Sequence, residues 1–415
     1  MAWTAPRRDG DAPTVLRLAS VFEPDRAVFA REDAASYDPV GGMQNHVAEL
    51  SRCLDDLGVR QQVLTSRLAG PVGRVRLGRH SEVRRTGLRI RRFRQLWALL
   101  AAPRALSAKD VRLVHAHQGE DIAVLLLGLL AAARHRCPLV LTMHLSIRHT
   151  LPVTSARTAV LKVLGGFVER LAVGRAAGVF VLTPRTRDQL VADGTPADRV
   201  HVVPSGFDPA LFAGRYDDPL PYLRRPRVVS VGRLAPQKRP LDLVSAFERM
   251  RTAAHLVVVG DGPLRVAMER RVADSPARDR ITLVGLVPHD EVPGYLAHAD
   301  VFVLPSDYEE LGSVLVEAMA SSLPVVANAV DGIPALVAHG RRGLLVRRGD
   351  VTALAAVLDD VLTGPELARR LVRAAREHVM EHYSWPALAG RIHDVYAGVA
   401  PGAVPDVATQ SFAAS

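Results

Sequence analysis

Short, unbroken apolar runs alternate with longer stretches of helical period along most of the chain. The runs Val15–Phe22, Gln61–Thr65, Leu88–Phe93, Val111–Ala116, Leu139–Met143, Val179–Leu182 and Val200–Val203 read as strands, with amphipathic helical patterns between several of them. Strands without polar alternation are buried on both faces, and strand–helix alternation builds a parallel sheet covered by helices on either side. The pattern breaks near Ala213–Arg227. There Pro219, Pro221 and Pro226 with Asp217-Asp218 read as an interdomain linker. Alternation restarts at Arg227 and runs to about Asp360, with further strands at Val228–Val231, Leu256–Val259 and Val301–Leu304. The chain is therefore α/β: a Rossmann-like domain over 13–215 and a second over 227–384. A disordered tail precedes them at 1–12, and a final helix follows at 385–400.

Size agrees with this division, since 415 residues are too many for one hydrophobic core. At 48% hydrophobic and 23% charged, the composition is that of a soluble globular protein. The start is polar and carries no secretory signal. The longest apolar run, Ile122–Ala133, is too short to span a bilayer. Cys53 and Cys137 lack metal spacing and suit a reducing cytoplasm.

The net charge of +10 points at first to nucleic acid or an anionic membrane. Only Lys109, Lys162 and Lys238 are lysines, however, and the Arg and Ala excess looks like coding bias, so neither partner is expected. The cluster Arg79, Arg84, Arg85, Arg89, Arg91, Arg92 and Arg94 has little aromatic interleaving. It reads equally as a solvated face or as a partner patch.

Candidate chemistry falls at strand ends, where open α/β sheets bind ligands. After Val228–Val231, Arg233 and Lys238 converge on the start of a helix. Together they offer a forked and a compact cation to a diphosphate. After Val301–Leu304 come Glu309 and Glu317, with seven residues between them, around a helix that begins at Gly312. The two carboxylates can bracket an extended ligand, with the amides of Gly312, Ser313 and Val314 facing hydroxyls or phosphate. In the first half, Gly41-Gly42 precedes an amphipathic helix, which lets backbone approach a phosphate. His115, His117, Glu120, Asp121 and His144 lie at strand ends. His115 and His117 share one face and could ligate zinc. Spacing fixes no third ligand, so no metal is expected. The only Asp-x-Asp lies in the tail, at Asp9 and Asp11.

These pieces resemble the retaining glycosyltransferases of family four. They include the Glu-x7-Glu motif, the Gly-Arg…Lys loop at Gly232–Lys238, and the Gly-Gly with His46 four positions on. The resemblance implies the GT-B fold, two Rossmann-like domains facing across a cleft, with the chain's end crossing back onto the first domain. It implies that Glu309 contacts the donor sugar and Glu317 the ribose. Leu286 would lie beside the base, and His144 would face the reacting sugar as a catalytic residue. Where the family usually has Gly-Phe, this chain has Glu310-Leu311, so Glu310 is a second candidate for the sugar contact. Asp331-Gly332-Ile333-Pro334 stands for the family's Gly-Gly-x-Pro-Glu, with Asp for the first Gly and Ala335 for Glu.

Leu57–Thr65 and the Glu309-Glu310-Leu311-Gly312 variant further resemble the transferases that glycosylate 2-deoxystreptamine in aminoglycoside antibiotic biosynthesis. These imply a UDP-sugar donor, commonly UDP-N-acetylglucosamine, an aminocyclitol acceptor and no cofactor. Glu120 or Asp121 would then meet the cationic acceptor, because an ammonium leaving water requires a paired charge. Transfer to inositol phosphate or phosphatidylinositol, a UDP-sugar epimerase of the same fold, and a non-catalytic sugar-nucleotide-binding module stand as alternatives.

Overall fold

The computed structural model of the protein describes residues 13–23, 42–66, 73–87, 96–119, 121–150 and 156–406. The 1–12 tail, the strand expected at Leu88–Phe93, Gly41, Glu120, Arg89, Arg91, Arg92 and Arg94 lie outside the described residues. The chain divides into two compact units. One takes in the first strand, Met43–Pro204 and the chain from Pro386, and the other takes in Ser205–Trp385.

Among the described residues the first unit holds eight strands: β1 (Thr14–Ala19), β2 (Gln61–Ser66), β3 (Gly73–Arg76), β4 (Glu82–Thr86), β5 (Val111–Gln118), β6 (Leu139–Met143), β7 (Gly178–Val181) and β8 (Val200–Val202). Their order is β3-β4-β2-β1-β5-β6-β7-β8. All neighbours are parallel except β3 and β4. Alternate residues of β1 and β2 feed opposite faces. Leu16, Leu18 and Leu64 meet Trp97 and Leu125 from two helices, while Ala19 and Val63 meet Val47 of the helix Gly42–Asp56. Unbroken apolar strands follow from this two-sided burial.

The edge pair β3–β4 was not in the hydrophobic pattern. β3, the edge strand, is exposed throughout, and β4, paired to β3 on one side and β2 on the other, mixes half-buried and buried residues. Part of the arginine cluster is spent there. Arg85 donates to the Glu23 carbonyl at 2.5 Å and lies over the Phe22 ring, and Arg84 pairs with Glu82.

Among the described residues the second unit holds six parallel strands: β9 (Arg227–Val231), β10 (His255–Val259), β11 (Ile281–Gly285), β12 (Val301–Leu304), β13 (Val325–Asn328) and β14 (Leu344–Val346). Their order is β11-β10-β9-β12-β13-β14. Val301 and Val303 enter the core on one face, and Phe302 and Leu304 the core on the other. The order reverses between β9 and β12, and a ligand crevice opens beyond the carboxyl ends of strands at such a switch point.

The stretch read as a linker is fastened rather than free. Buried Arg227 donates from Nη1 to both oxygens of Asp218 at 2.9 Å, and from Nη2 to the carbonyls of Leu220 and Leu223. The first unit's continuous stretch ends at Pro204, short of the expected 215, and residues from Ser205 belong to the second unit, where Phe207 bridges to Ser384. The helix Trp385–Val399 packs in the first unit, where Tyr396 is fully buried and Arg391 donates to the Val202 carbonyl. Among the described residues no helix is long and apolar enough to cross a membrane.

Candidate active site

In the second unit the loops after β9, β10 and β12 interlock. Gly232 N–H donates to the Val259 carbonyl and Leu234 N–H to that of Asp261. Gly260 has φ +136°, and a Cβ there would stand 2.0 Å from the Gly232 carbonyl oxygen, so only glycine permits the approach. The β9 loop also grips the β12 loop. Asp307 N–H donates to the Gln237 carbonyl, Gln237 Nε2 donates to the Tyr308 carbonyl, and Arg239 donates to Asp307 at 2.8 Å.

This brings two predicted residues together. Lys238 Nζ is ion-paired with Glu309, whose Oε1 also accepts from Ser306 Oγ at 2.7 Å. Both side chains are mostly buried. The backbone around Glu309 is held from a third side, since Gly332 N–H donates to its carbonyl and its own N–H to Asp331 Oδ2. Asp331 has φ +42°, a conformation Asp tolerates better than most residues, which explains Asp where glycine was the family pattern.

Glu310 accepts from the Tyr308 hydroxyl at 3.1 Å, and Leu311 is buried. Gly312 takes the left-handed conformation, φ +75°, immediately before the helix Ser313–Ala320. That helix carries Ser313 and Val314, half-buried, in its first turn and buried Glu317 in its second. Glu317 bonds His289 Nε2 at 3.1 Å, from the turn after β11 that also carries half-buried Leu286. His289 was not singled out in the sequence, nor was Asn328. Asn328 is a buried amide at the end of β13 that donates to the carbonyls of Pro305 and Ser306 and so shapes the turn before Glu309. Arg233 is half-buried in the β9 loop.

In the first unit the ends of β5 and β6 gather histidines. His144 follows β6, and its N–H donates to the Gln118 carbonyl. Strand period brings His115 and His117 to one face, and their ring centres lie 4.2 Å apart, but His115 is not part of a ligand set. His115 is fully engaged, with Nδ1 at Tyr396 Oη and Nε2 at Thr142 Oγ1. The cluster is instead His46, His117 and His144, whose ring nitrogens lie within 4.8 Å of one another. The set has the reach of a metal site. Its nearest charge, however, is the Arg17 guanidinium, 2.6 Å from His117 Nε2, which opposes a cation.

Burial, and then the Arg17 charge, hold His144 down to about 3. His46, His115 and His117 are likewise held well below the ordinary range, burial first and neighbouring cations and imidazoles after it. All four are therefore neutral at physiological pH. Gly42 opens the helix that carries His46. Asp121 is buried, and its carboxylate accepts from Trp97 Nε1 at 2.5 Å and from the Ala123 amide at 2.9 Å. It caps a helix, which is the role acids commonly fill at such a position.

Two parallel-sheet α/β units, the second with a cationic loop locked to a glutamate loop at its switch point, define a glycosyltransferase of the GT-B fold. Residues 40–211 match Glycosyltransferase Family 4, and residues 217–378 match Glycosyl transferases group 1. The chain belongs to family four of the glycosyltransferases. It is 36% identical to the 2-deoxystreptamine N-acetyl-D-glucosaminyltransferase of Streptomyces fradiae, covering 89% of this chain and 93% of that one. It is 33% identical to the 2-deoxystreptamine glucosyltransferase of Streptomyces kanamyceticus, covering 84% and 96%. Among solved structures, sucrose-phosphate synthase from Thermosynechococcus elongatus superposes with TM-score 0.78 at 24% identity, over 93% of this chain and 98% of that one. Anabaena Alr3699/HepE superposes with TM-score 0.70 at 20% identity, over 93% and 99%.

Proposed function

We propose that this protein transfers N-acetylglucosamine, or glucose, from a UDP-sugar to a hydroxyl of 2-deoxystreptamine, with retention at the anomeric carbon, in aminoglycoside biosynthesis. The observation that carries the reading is the Lys238–Glu309 pair at the switch point of the second sheet, in a chain whose two relatives above both act on 2-deoxystreptamine. Lys238 and Arg233 take the donor diphosphate and stabilise the charge that grows on it as the bond from sugar to phosphate breaks. Glu309 positions the sugar, with Glu310 beside it. Glu317, steadied by His289, takes the ribose, and Leu286 lies at the base.

No step needs a cofactor or a metal. The acceptor oxygen attacks on the face the diphosphate leaves, and the departing phosphate takes the acceptor's proton. His144 contacts the reacting sugar. Asp121 is spent on Trp97 and its helix, so recognition of the cationic acceptor falls to Glu120.

The test is a single reaction containing UDP-N-acetylglucosamine or UDP-glucose with 2-deoxystreptamine and inositol phosphate in competition, read by mass spectrometry. A glycosylated aminocyclitol is expected. Product only on inositol phosphate rejects the acceptor, and donor consumed without any glycoside rejects the transferase reading.

A further inference from the structure

The first sheet contains a charge that needs an explanation. Arg17 lies on β1 with no exposed surface, and no carboxylate pairs with it among the described residues. Burying a guanidinium with no carboxylate beside it is costly unless its donors are satisfied. Its partners are all acceptors held in place by something else. Nη1 donates to Ser51 Oγ at 2.5 Å and to Gln61 Oε1 at 3.0 Å. Ser51 spends its own proton on the Val47 carbonyl. The Gln61 amide is pinned by its Nε2, which donates to the Ser51 carbonyl and to Ser81 Oγ, so its oxygen must face Arg17. With Nη1 fixed in this way, Nη2 is directed at His117 Nε2, 2.6 Å away.

A guanidinium has donors and no acceptor. His117 Nε2 must therefore be the acceptor, and the single proton of a neutral imidazole must sit on Nδ1. His117 Nδ1 faces His144 Nε2 at 3.4 Å. The two ring centres are 5.7 Å apart with planes only 29° from parallel. That separation exceeds the nitrogen–nitrogen distance by the two ring radii, so the nitrogens meet head-on, in plane, rather than face to face. His117 thus donates and His144 Nε2 accepts. The remaining proton of neutral His144 stands on Nδ1. His115 does not compete for these nitrogens, because both of its own are bonded to Tyr396 and Thr142.

We propose that Arg17 is a positioning residue: acting through His117, it fixes His144 as the Nδ1–H tautomer, so that His144 offers a hydrogen-bond donor, and not a base, to the bound sugar. The functional half of this rests on the reading above that His144 contacts the reacting sugar; the tautomer itself does not. A donor at that place suits a displacement in which the departing phosphate takes the acceptor's proton, since no protein base is then required.

Long-range nitrogen–proton correlation spectra of the protein carrying 15N-histidine test the tautomer directly, without turnover. His144 is assigned by its loss in His144→Asn. The expected result is a proton on Nδ1 of both His117 and His144. A proton on His144 Nε2 overturns the relay whatever the activity. In Arg17→Met, His117 and His144 should each shift toward a mixture of tautomers, with kcat lower by about tenfold or more and the donor KM little changed. Arg17→Met with the native tautomers intact also overturns it. If Arg17→Met does not fold, the native spectrum still decides.

Function is tested separately by substitution at His144. An Asn amide stands where His Nδ1 stands, and a Gln amide reaches the place of Nε2. His144→Asn should therefore keep more transfer than His144→Gln. The reverse order shows that Nε2 does the work and overturns the donor role. Full activity in both variants leaves the tautomer intact and removes His144 from the proposed mechanism.

Discussion

At the scale of the residue, the Lys238–Glu309 pair couples two roles that the sequence assigns separately. Lys238→Ala removes a cation from the diphosphate site and also leaves Glu309 with only Ser306 as a side-chain partner. Hydrogen bonds to charged groups are worth about 1.5–3 kcal/mol, so kcat/KM at limiting donor should fall by about ten- to a hundredfold or more. Steady-state rates at low donor measure it, and an unchanged value removes Lys238 from the donor site. Glu309→Gln keeps the shape of the loop and should cut transfer far more than affinity for UDP. Glu317→Ala, which also removes one partner of His289, should weaken UDP itself. Calorimetric titration of UDP into both variants separates the roles, and equal losses would collapse them into one. Transfer should also survive EDTA, since the Arg17 guanidinium faces the three-imidazole cluster. Loss of activity restored by Zn²⁺ would contradict that.

At the scale of the element, the second unit's loops depend on glycine. Gly260→Ala meets both a strained φ and the Gly232 carbonyl, while Gly340→Ala meets a positive φ with nothing within 4 Å. Strain alone costs about 1–3 kcal/mol. Gly260→Ala should therefore lower Tm clearly more than Gly340→Ala, and should weaken donor binding because the β9 loop must shift. Equal Tm losses would mean the loops are not locked together.

β9, β10 and β12 of this unit and the central strands of the first were legible in the sequence because burial on both faces leaves unbroken apolar runs, whereas β11, β13 and β14 were not singled out. β3 and β4 were not, because Gly-Arg-Val-Arg and Glu-Val-Arg-Arg-Thr lie at a sheet edge where charge is favoured. Glu309, Glu317 and Lys238 were legible by spacing and by the rarity of lysine. Their pairing across 71 residues was not, nor were His289, Asn328 and Arg17, whose roles come from strands meeting in space. Arginine is almost never fully buried, so nothing in the local pattern marks Arg17 as interior.

At the scale of the whole molecule, four buried neutral histidines make stability depend on pH. Their folded pKa values lie below the ordinary 6.5, with His144 at about 3. The unfolded chain therefore binds more protons below that value. The contribution is fully present above about pH 6.5 and is lost as pH falls toward the folded values, by about 1.4 kcal/mol per pH unit for each histidine titrating only in the unfolded state. Tm should hold from pH 8 to 7 and drop steeply between pH 6.5 and 5. Replacing His115 with Phe should flatten that slope, and an unchanged slope would assign the loss to other groups.

The path of the chain has a consequence for how the protein is made. The first unit's sheet is complete by Val202, yet Tyr396 and Arg391, which close over His115 and β8, come from beyond the entire second unit. A ribosome translating this message must therefore release some 180 residues of the second unit before the first can be finished. The nascent first sheet waits with the hydroxyl partner of His115 still unsynthesised and the Tyr396 site open. The first unit therefore reaches its final packing only after the second unit has been made.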